Sequence, residues 1–576
     1  MSKRSANKKL NARKPISGPV LTRARLIFLG AVLAILPLAL VWHLAHLQVV
    51  PNTDKGFAFL QEQGEARTLR QEPIRAYRGV ISDRNGELLA VSTPVKSLYA
   101  NPQRLDMTRL PELAEALGVS QQSLANKITR YADKQFVYLE RNLPPQDADR
   151  ITRLNITGVN VEEEFKRYYP AGEVAAHIVG FTDIDEHGQE GMELALEDWL
   201  SGAPGVRQVV KDLKGNVVKD LGITRAASSG NDVQLSIDLR LQYLAYRELK
   251  NAIAEQGAKS GSIVMMDVHS GEVLAMANQP SYNPNNRSQI NPSQLRNRAL
   301  TDEFEPGSTM KPFTILAALE SNRYTPSTKI DTNPGYWRVA NKTYSDFKNY
   351  GVIDLTTVIT KSSQVGISKI ALDLPPQDLR DVFYRVGFGQ ATGTGFPGES
   401  MGKLPNRTRW HPTERAAMGF GLGISVTALQ LAQAYTAIAS GGLLRPSSIL
   451  KQADVAEGDR AMSAHHAQQI ISMLKTVTEK GGTATRAQIK AYPSAGKTGT
   501  AHKVGAHGYA DDKYVALFAG MAPADDPQIV TVVIIHEPPV EHYYGGEAAA
   551  PVFARVVEGA LRLLQVPPNQ TAMATR

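Results

Sequence analysis

Residues 26–42, LIFLGAVLAILPLALVW, carry no charged side chain, and the apolar character runs on through His43, His46 and Gln48 to Val50. A segment this long and this apolar is suited to crossing a bilayer, and there a helix is the form that bonds every backbone group within one segment. No small-x-small cleavage site follows, and the run is longer than a usual signal core, so an uncleaved transmembrane helix over 26–48 is expected. The first 25 residues hold eight basic side chains and no acidic one. By the positive-inside rule this tail (1–25) stays in the cytoplasm, Trp42 lies near the outer interface, and the chain from about residue 50 onward is periplasmic.

The same tail accounts for the whole net charge of +8, since the remaining residues hold 56 basic against 56 acidic side chains. A pI near 9.2 therefore gives no basic binding face, and nucleic acid is excluded as a partner. The absence of cysteine excludes disulfides, thiol catalysis and cysteine-ligated metal.

Beyond the helix, residues 51–230 read as a β-rich non-catalytic module with inserted helices. In RGVISDRNGELLAVS (78–92) an apolar alternation breaks at Asp83-Arg84-Asn85-Gly86, a hairpin signal. SSGND (228–232) reads as a linker into a second domain spanning 231–566, with a tail at 567–576. That domain opens with a helix carrying Leu241, Leu244, Ala245, Leu249, Ala252 and Ile253 on one face, stopped at Gly257. A β-hairpin turning at Ser270-Gly271 comes next. Near the C-terminus YVALFAGM and IVTVVII (529–535) read as strands, and residues 551–564 as a helix. Strands from both ends of the domain with a helical insert between them predict an α+β fold: an antiparallel sheet flanked by helices, plus a helical subdomain.

The stretch SAGKTGT (494–500) admits two readings. A phosphate-binding loop needs Gly-x-x-x-x-Gly-Lys-Ser/Thr, but Ala491 stands at its first glycine and Pro493 removes a donor amide. The alternative is the lysine motif of a serine acyl-transferase, which requires a Ser-x-x-Lys elsewhere. That pattern starts at Ser5, Ser308, Ser345, Ser400, Ser448, Ser472 and Ser494. Only in FEPGSTMKPFTILAALE does Pro306-Gly307 break the chain before the serine and an apolar helix follow, placing Ser308 and Lys311 one turn apart. Pro312 is tolerated there because first-turn amides have no intrahelical partner. A second Lys-Ser-Gly, Lys259-Ser260-Gly261, precedes the nucleophile and reads as a helix end. HEPPVEH (536–542) is not a zinc-protease motif, because its spacing is two residues too long and Pro538-Pro539 forbid the helix; no metal or cofactor is expected.

PGSTMKP, KSSQVGISKIAL, GFGLGISVTALQLAQAY and AGKTGTAHK, in that order, resemble the class B penicillin-binding proteins, specifically the septal peptidoglycan D,D-transpeptidases of the FtsI family. RGVISDRNG and RYYPAGEVAAHIVGFTD are similar to that family's non-catalytic dimerisation or pedestal module, and FAGMAPA and YYGGEAAAPVF to its last strands and helix. The resemblance implies a penicillin-binding/β-lactamase-like transpeptidase domain in which Ser308 attacks the penultimate D-alanine of a stem peptide. It makes Lys311 the general base, neutral because burial and a positive Lys497 depress its pKa, and Ser362 a proton relay. The amides of Ser308 and Thr500 would form the oxyanion hole, each donor contributing ~3 kcal/mol. Lys497, Thr498, Gly499 and Thr500 would hold the substrate carboxylate or that of a β-lactam. Implied partners are peptidoglycan stem peptides on lipid-linked or nascent strands, β-lactams, and the division complex with its SEDS-family glycosyltransferase FtsW.

One position departs from the family. Its second motif is Ser-x-Asn, whereas this chain reads Ser362-Ser363-Gln364, which adds a methylene and a rotatable bond to the carboxamide. Ser281-Tyr282-Asn283 supplies Ser-x-Asn but precedes Ser308. A D,D-carboxypeptidase, or a conditional division paralogue acting partly as a scaffold, would carry the same acylating residues.

Overall fold

The computed structural model describes residues 22–49, 58, 59, 62, 64, 68–212, 217–288, 290–407, 409–505 and 508–568, without the side chains of 47 and 504–511. The chain divides into two compact units, one formed by residues up to 75 together with 204–227, the other by 76–203 with 228–576.

In the first unit, α1 (Arg23–Gln48) is a single helix with Pro37 inside it. Residues Arg23–His46 have mean hydropathy 2.4, apolar and long enough to cross a membrane. Strands Leu69–Ile74, Gly205–Lys211 and Val217–Arg225 form an antiparallel sheet with Leu69 opposite Val210 and Val206 opposite Arg225. Val217–Arg225 is exposed along its whole length.

The second unit begins with the anticipated hairpin. Asp83 Oδ1 accepts from the amides of Asn85 (2.7 Å) and Glu87 (2.9 Å), and Gly86 takes φ +91°. The strand beyond it, β1 (Leu88–Ala100), pairs with β2 (Val137–Leu143) on one side and β3 (Val159–Tyr168) on the other. Below it two buried guanidiniums share one buried carboxylate, Arg78 and Arg167 donating to Glu193 at 2.6 and 2.7 Å. Asp83 Oδ2 also accepts from the amide of Leu239 (3.0 Å), tying the hairpin to the first helix of the catalytic portion.

That helix, α2 (Leu239–Gln256), is capped by Asp238 and ended by Gly257 in the left-handed conformation (φ +59°), as its sequence requires. It leads into β4 (Ser260–Asp267) and β5 (Val273–Gln279). After a long, mainly helical stretch the chain returns as β6 (Ala495–Gly505), β7 (Gly508–Ala522) and β8 (Ile529–His536) and closes with α3 (Ala550–Leu563). The antiparallel sheet has the order β5-β4-β8-β7-β6, so strands from both ends of the domain meet at its centre. β8 is buried at every residue, because α2 and α3 pack on the sheet with each other and the helix Ala428–Ala439 covers β4 and β8.

One local expectation is corrected. Lys259-Ser260-Gly261 ends no helix; Ser260 and Gly261 open β4, where they pair with His536 and Ile535. SAGKTGT largely constitutes a strand: Ala495 to Thr500 form the start of the edge strand β6, paired with β7. An alternation with so many small residues gives no apolar period by which a strand is recognised.

Candidate active site

Three segments converge at this edge strand. Pro306-Gly307 turns the chain into a single 3-10 turn (Gly307–Met310) that continues as the helix Lys311–Glu320, with Pro312 in its first turn. The turn is wedged between neighbours that allow no side chain. A Cβ on Gly421 would lie 2.4 Å from Gly307 O, and one on Gly499 would lie 3.0 Å from Pro306 O. Tyr435, fully buried, donates its hydroxyl to Thr309 O at 2.9 Å and fixes the turn from below. Ser308 is half-buried, and its hydroxyl makes no hydrogen bond to a described residue.

Lys311 and Lys497 are both 0% exposed, and both point at one atom. Each Nζ donates to Ser362 Oγ at 3.0 Å; Lys311 donates also to Ser362 O, and Lys497 to Thr498 O at 3.3 Å. Ser362 presents its side chain from a left-handed backbone (φ +56°), a strained conformation for serine. The next residues hold it there. Ser363 caps the helix Gln364–Asp373, its Oγ accepting from Gly366 N at 2.9 Å. The Asp346 carboxylate accepts from Ser363 Oγ (2.7 Å), Gln364 N (2.5 Å) and Val365 N (3.0 Å).

Two ammonium groups this close and this buried cannot both stay charged. Burial pushes Lys311 down to about 7, with the Asp346 carboxylate working against the shift. Lys497 is held well below the usual lysine range by burial and by the charge of Lys311. Burial, one of the two expected causes, lowers Lys311, and the like-charge effect of the pair falls on Lys497.

The remaining predicted residues lie along β6. Thr498 Oγ1 is 3.0 Å from Thr483 Oγ1, and Thr500 Oγ1 accepts from Gly545 N at 3.1 Å. The backbone of Thr500 sits beside the nucleophile turn, a Cβ on Gly307 coming 3.3 Å from Thr500 O. Gln364 is half-buried, anchored through its amide, and its carboxamide makes no hydrogen bond to a described residue. Among the competing Ser-x-x-Lys pairs, Ser5 lies outside the described residues. Ser400 Oγ is bound to Glu303 (2.5 Å), and Lys475, three residues after Ser472, pairs with Asp525 (2.7 Å). Asp346 is the member of the site that motif reading misses; it stands 16 residues before Ser362, with nothing in TYSDF to connect the two.

The arrangement suits acyl transfer: a hydroxyl on a rigid turn, a depressed lysine one turn on, and a second hydroxyl shared by two lysines. The family model described as the penicillin binding protein transpeptidase domain matches residues 261–558, and that of the penicillin-binding protein dimerisation domain matches 73–235. The chain is 42% identical over 547 residues to the probable peptidoglycan D,D-transpeptidase PbpC of Pseudomonas aeruginosa, covering 95% of this chain and 96% of that protein. It is 42% identical over 537 residues to the peptidoglycan D,D-transpeptidase FtsI of Escherichia coli K12, covering 92% and 90%. Among solved structures, penicillin-binding protein 3 of Mycobacterium tuberculosis, complexed with aztreonam, superposes with TM-score 0.68 at 27% identity, over 86% of this chain and 98% of that one. The chain belongs to the penicillin-binding protein transpeptidase family, among the peptidoglycan D,D-transpeptidases of the FtsI type.

Proposed function

We propose that this chain is a membrane-anchored D,D-transpeptidase that cross-links peptidoglycan stem peptides during septum synthesis, with Ser308 as its nucleophile. The observation that carries the reading is the convergence of two buried lysines on Ser362 Oγ beside the Ser308 turn. Neutral Lys311 takes the Ser308 proton as Oγ bonds to the penultimate D-alanine carbonyl. The amides of Ser308 and Thr500 stabilise the oxyanion. The C–N bond to the terminal D-alanine then breaks, and Ser362 passes the leaving amine a proton drawn from the lysine pair. An amine of a second stem peptide attacks the ester, the cross-link forms, and Ser308 regains its proton.

Substrate binding feeds this cycle. A carboxylate docking at Lys497, Thr498, Gly499 and Thr500 restores the charge on Lys497, and the like charge drives the proton off Lys311. A β-lactam carboxylate does the same while its ring acylates Ser308. The basic tail supports a cytoplasmic N-terminus, with the catalytic portion on the outer face of the inner membrane. Association with a SEDS-family glycosyltransferase such as FtsW and with other division proteins follows from the family reading and the anchor. Incubation of the protein with pentapeptide-bearing strands, followed by separation of cross-linked dimers from trimmed monomers, tests the proposal. Trimmed monomers alone would make it a carboxypeptidase.

A further inference from the structure

Ser281-Tyr282-Asn283, the Ser-x-Asn that chain order excludes from the active site, has a structural task. Ser281 Oγ donates to Glu173 O (2.7 Å), and the Tyr282 hydroxyl donates to Ala176 O (3.0 Å). Asn285 completes the seam: its Oδ1 accepts from Tyr169 N (3.0 Å) and its Nδ2 donates to Tyr169 O (2.9 Å). The segment leaving β5 is thus stitched to the non-catalytic module, and a cavity of about 170 Å³ lies at the stitches. Asn142 of β2, Lys166 of β3 and Glu186 line it from the module, Pro284 and Arg287 from the catalytic portion.

Five charged side chains line this cavity, and two of them are already committed. Arg167 is bound to Glu193 (2.7 Å), and Asp183 Oδ1 accepts from the amides of Asp185 and His187 (2.9 Å each). The other three are not. Lys166 and Arg287 form no ion pair with a described residue, and the Arg287 guanidinium rests 4.5 Å from the centre of the Phe181 ring. Glu186 forms none either: its Oε1 accepts only from Ser92 Oγ (2.6 Å), and burial holds its carboxyl above the usual carboxylate range. Asn142, in the left-handed backbone region (φ +60°), has a buried Oδ1 that accepts no hydrogen bond. A buried acceptor without a donor is costly, and an N–H brought by a ligand would satisfy it.

These needs are opposite in sign. Glu186 and Asn142 call for an ammonium, Arg287 and Lys166 for a carboxylate. An anion alone leaves the first pair unserved, and a cation alone leaves the second. We infer that the cavity binds a free α-amino acid head, ammonium and carboxylate on one carbon, and that its ligand bridges the non-catalytic module and the catalytic portion. That head has two sources: free D-alanine, which the proposed reaction releases, and a peptide side chain that ends in the same group. The site goes beyond the acylation chemistry and does not depend on Ser308 being the nucleophile.

The test is isothermal titration calorimetry of the full-length protein in detergent. The probes are D-alanine, D-alaninamide, N-acetyl-D-alanine, and a tetrapeptide with one side chain ending in the same α-amino acid head. One site per chain is expected, and each blocked analogue, having lost one charge, is expected to bind about tenfold more weakly than D-alanine or worse. Arg287→Ala is expected to weaken binding by about tenfold or more, as the loss of a charge-assisted hydrogen bond implies. Arg287 is exposed, so the change removes little packing. Asn142→Gly keeps the left-handed backbone and is expected to weaken binding about fivefold. Binding of the tetrapeptide but not of free D-alanine, lost in Arg287→Ala, supports the site and assigns the head to a peptide. A wild type that binds no probe, blocked analogues that bind as well as D-alanine, or binding that is unchanged in Arg287→Ala overturns it.

Discussion

Asp346 offers the sharpest perturbation of the proposed proton economy. Its carboxylate is the charge that keeps the buried Lys311 from falling further below about 7. Against an ordinary lysine near 10.4, that depression corresponds to about 5 kcal/mol against the charged form. The sign comes from proton counting. Between pH 7 and about 10 the unfolded chain holds a proton here that the folded chain has lost, so stability from this site rises with pH and the full cost is present below 7. Reactivity runs the same way, since only neutral Lys311 accepts a proton, and acylation is expected to rise through a midpoint near 7. Asp346→Asn removes the charge and keeps acceptor capacity for the amides of Gln364 and Val365. At an effective dielectric constant of about 20, a unit charge contributes up to about 4 kcal/mol at close range and less with separation. Half-exposure of Asp346 screens part of that, leaving an expected fall of about one pKa unit. Lys497, the other ionisable group facing Lys311, is itself held below the usual lysine range by burial and by the charge of Lys311. The assay is the second-order rate of acylation by a fluorescent penicillin from pH 5 to 9. A midpoint that stays put or moves up would refute the reasoning.

Other substitutions probe separate parts. Ser362→Ala removes the oxygen shared by the two lysines and should slow acylation by about 10²- to 10⁴-fold with little change in penicillin affinity, read by stopped-flow burst kinetics. Gln364→Asn shortens an unanchored carboxamide and should change the acylation rate for substrate and β-lactam alike; equal rates for both ligands would show that the added methylene has no consequence. Gly421→Ala drives a Cβ to 2.4 Å from Gly307 O, in a glycine-favouring backbone (φ +84°), and should abolish penicillin labelling while lowering the unfolding midpoint. Glu193→Ala, remote from the site, leaves two buried guanidiniums without their shared carboxylate and should cost about 3–5 kcal/mol in denaturant unfolding.

How much of this was legible in the sequence depends on whether a signal was local. α2 is announced by its apolar face and Gly257, and the first hairpin by Asp83 to Gly86, because each is decided by neighbours in sequence. Ser308 is distinguishable from six other Ser-x-x-Lys serines because Pro306-Gly307 encodes the turn that begins its helix. By contrast, β6 hides in a run of small residues, since a strand beside a reactive turn needs glycine where an apolar period would otherwise show. The charge state of the lysines was only partly legible. Burial sets its direction, which the motifs imply, but the opposing carboxylate of Asp346 reaches Ser363 and Gln364 only through the folded chain.

The central claim is that acyl transfer proceeds through Ser308. Intact-protein mass spectrometry with a penicillin, on wild type and Ser308→Ala in parallel, tests it most directly. The account predicts one covalent adduct on the wild type, mapped to the peptide containing Ser308, and none on the variant at equal folded concentration. An adduct that persists on Ser308→Ala, or one that maps to another serine, would contradict it.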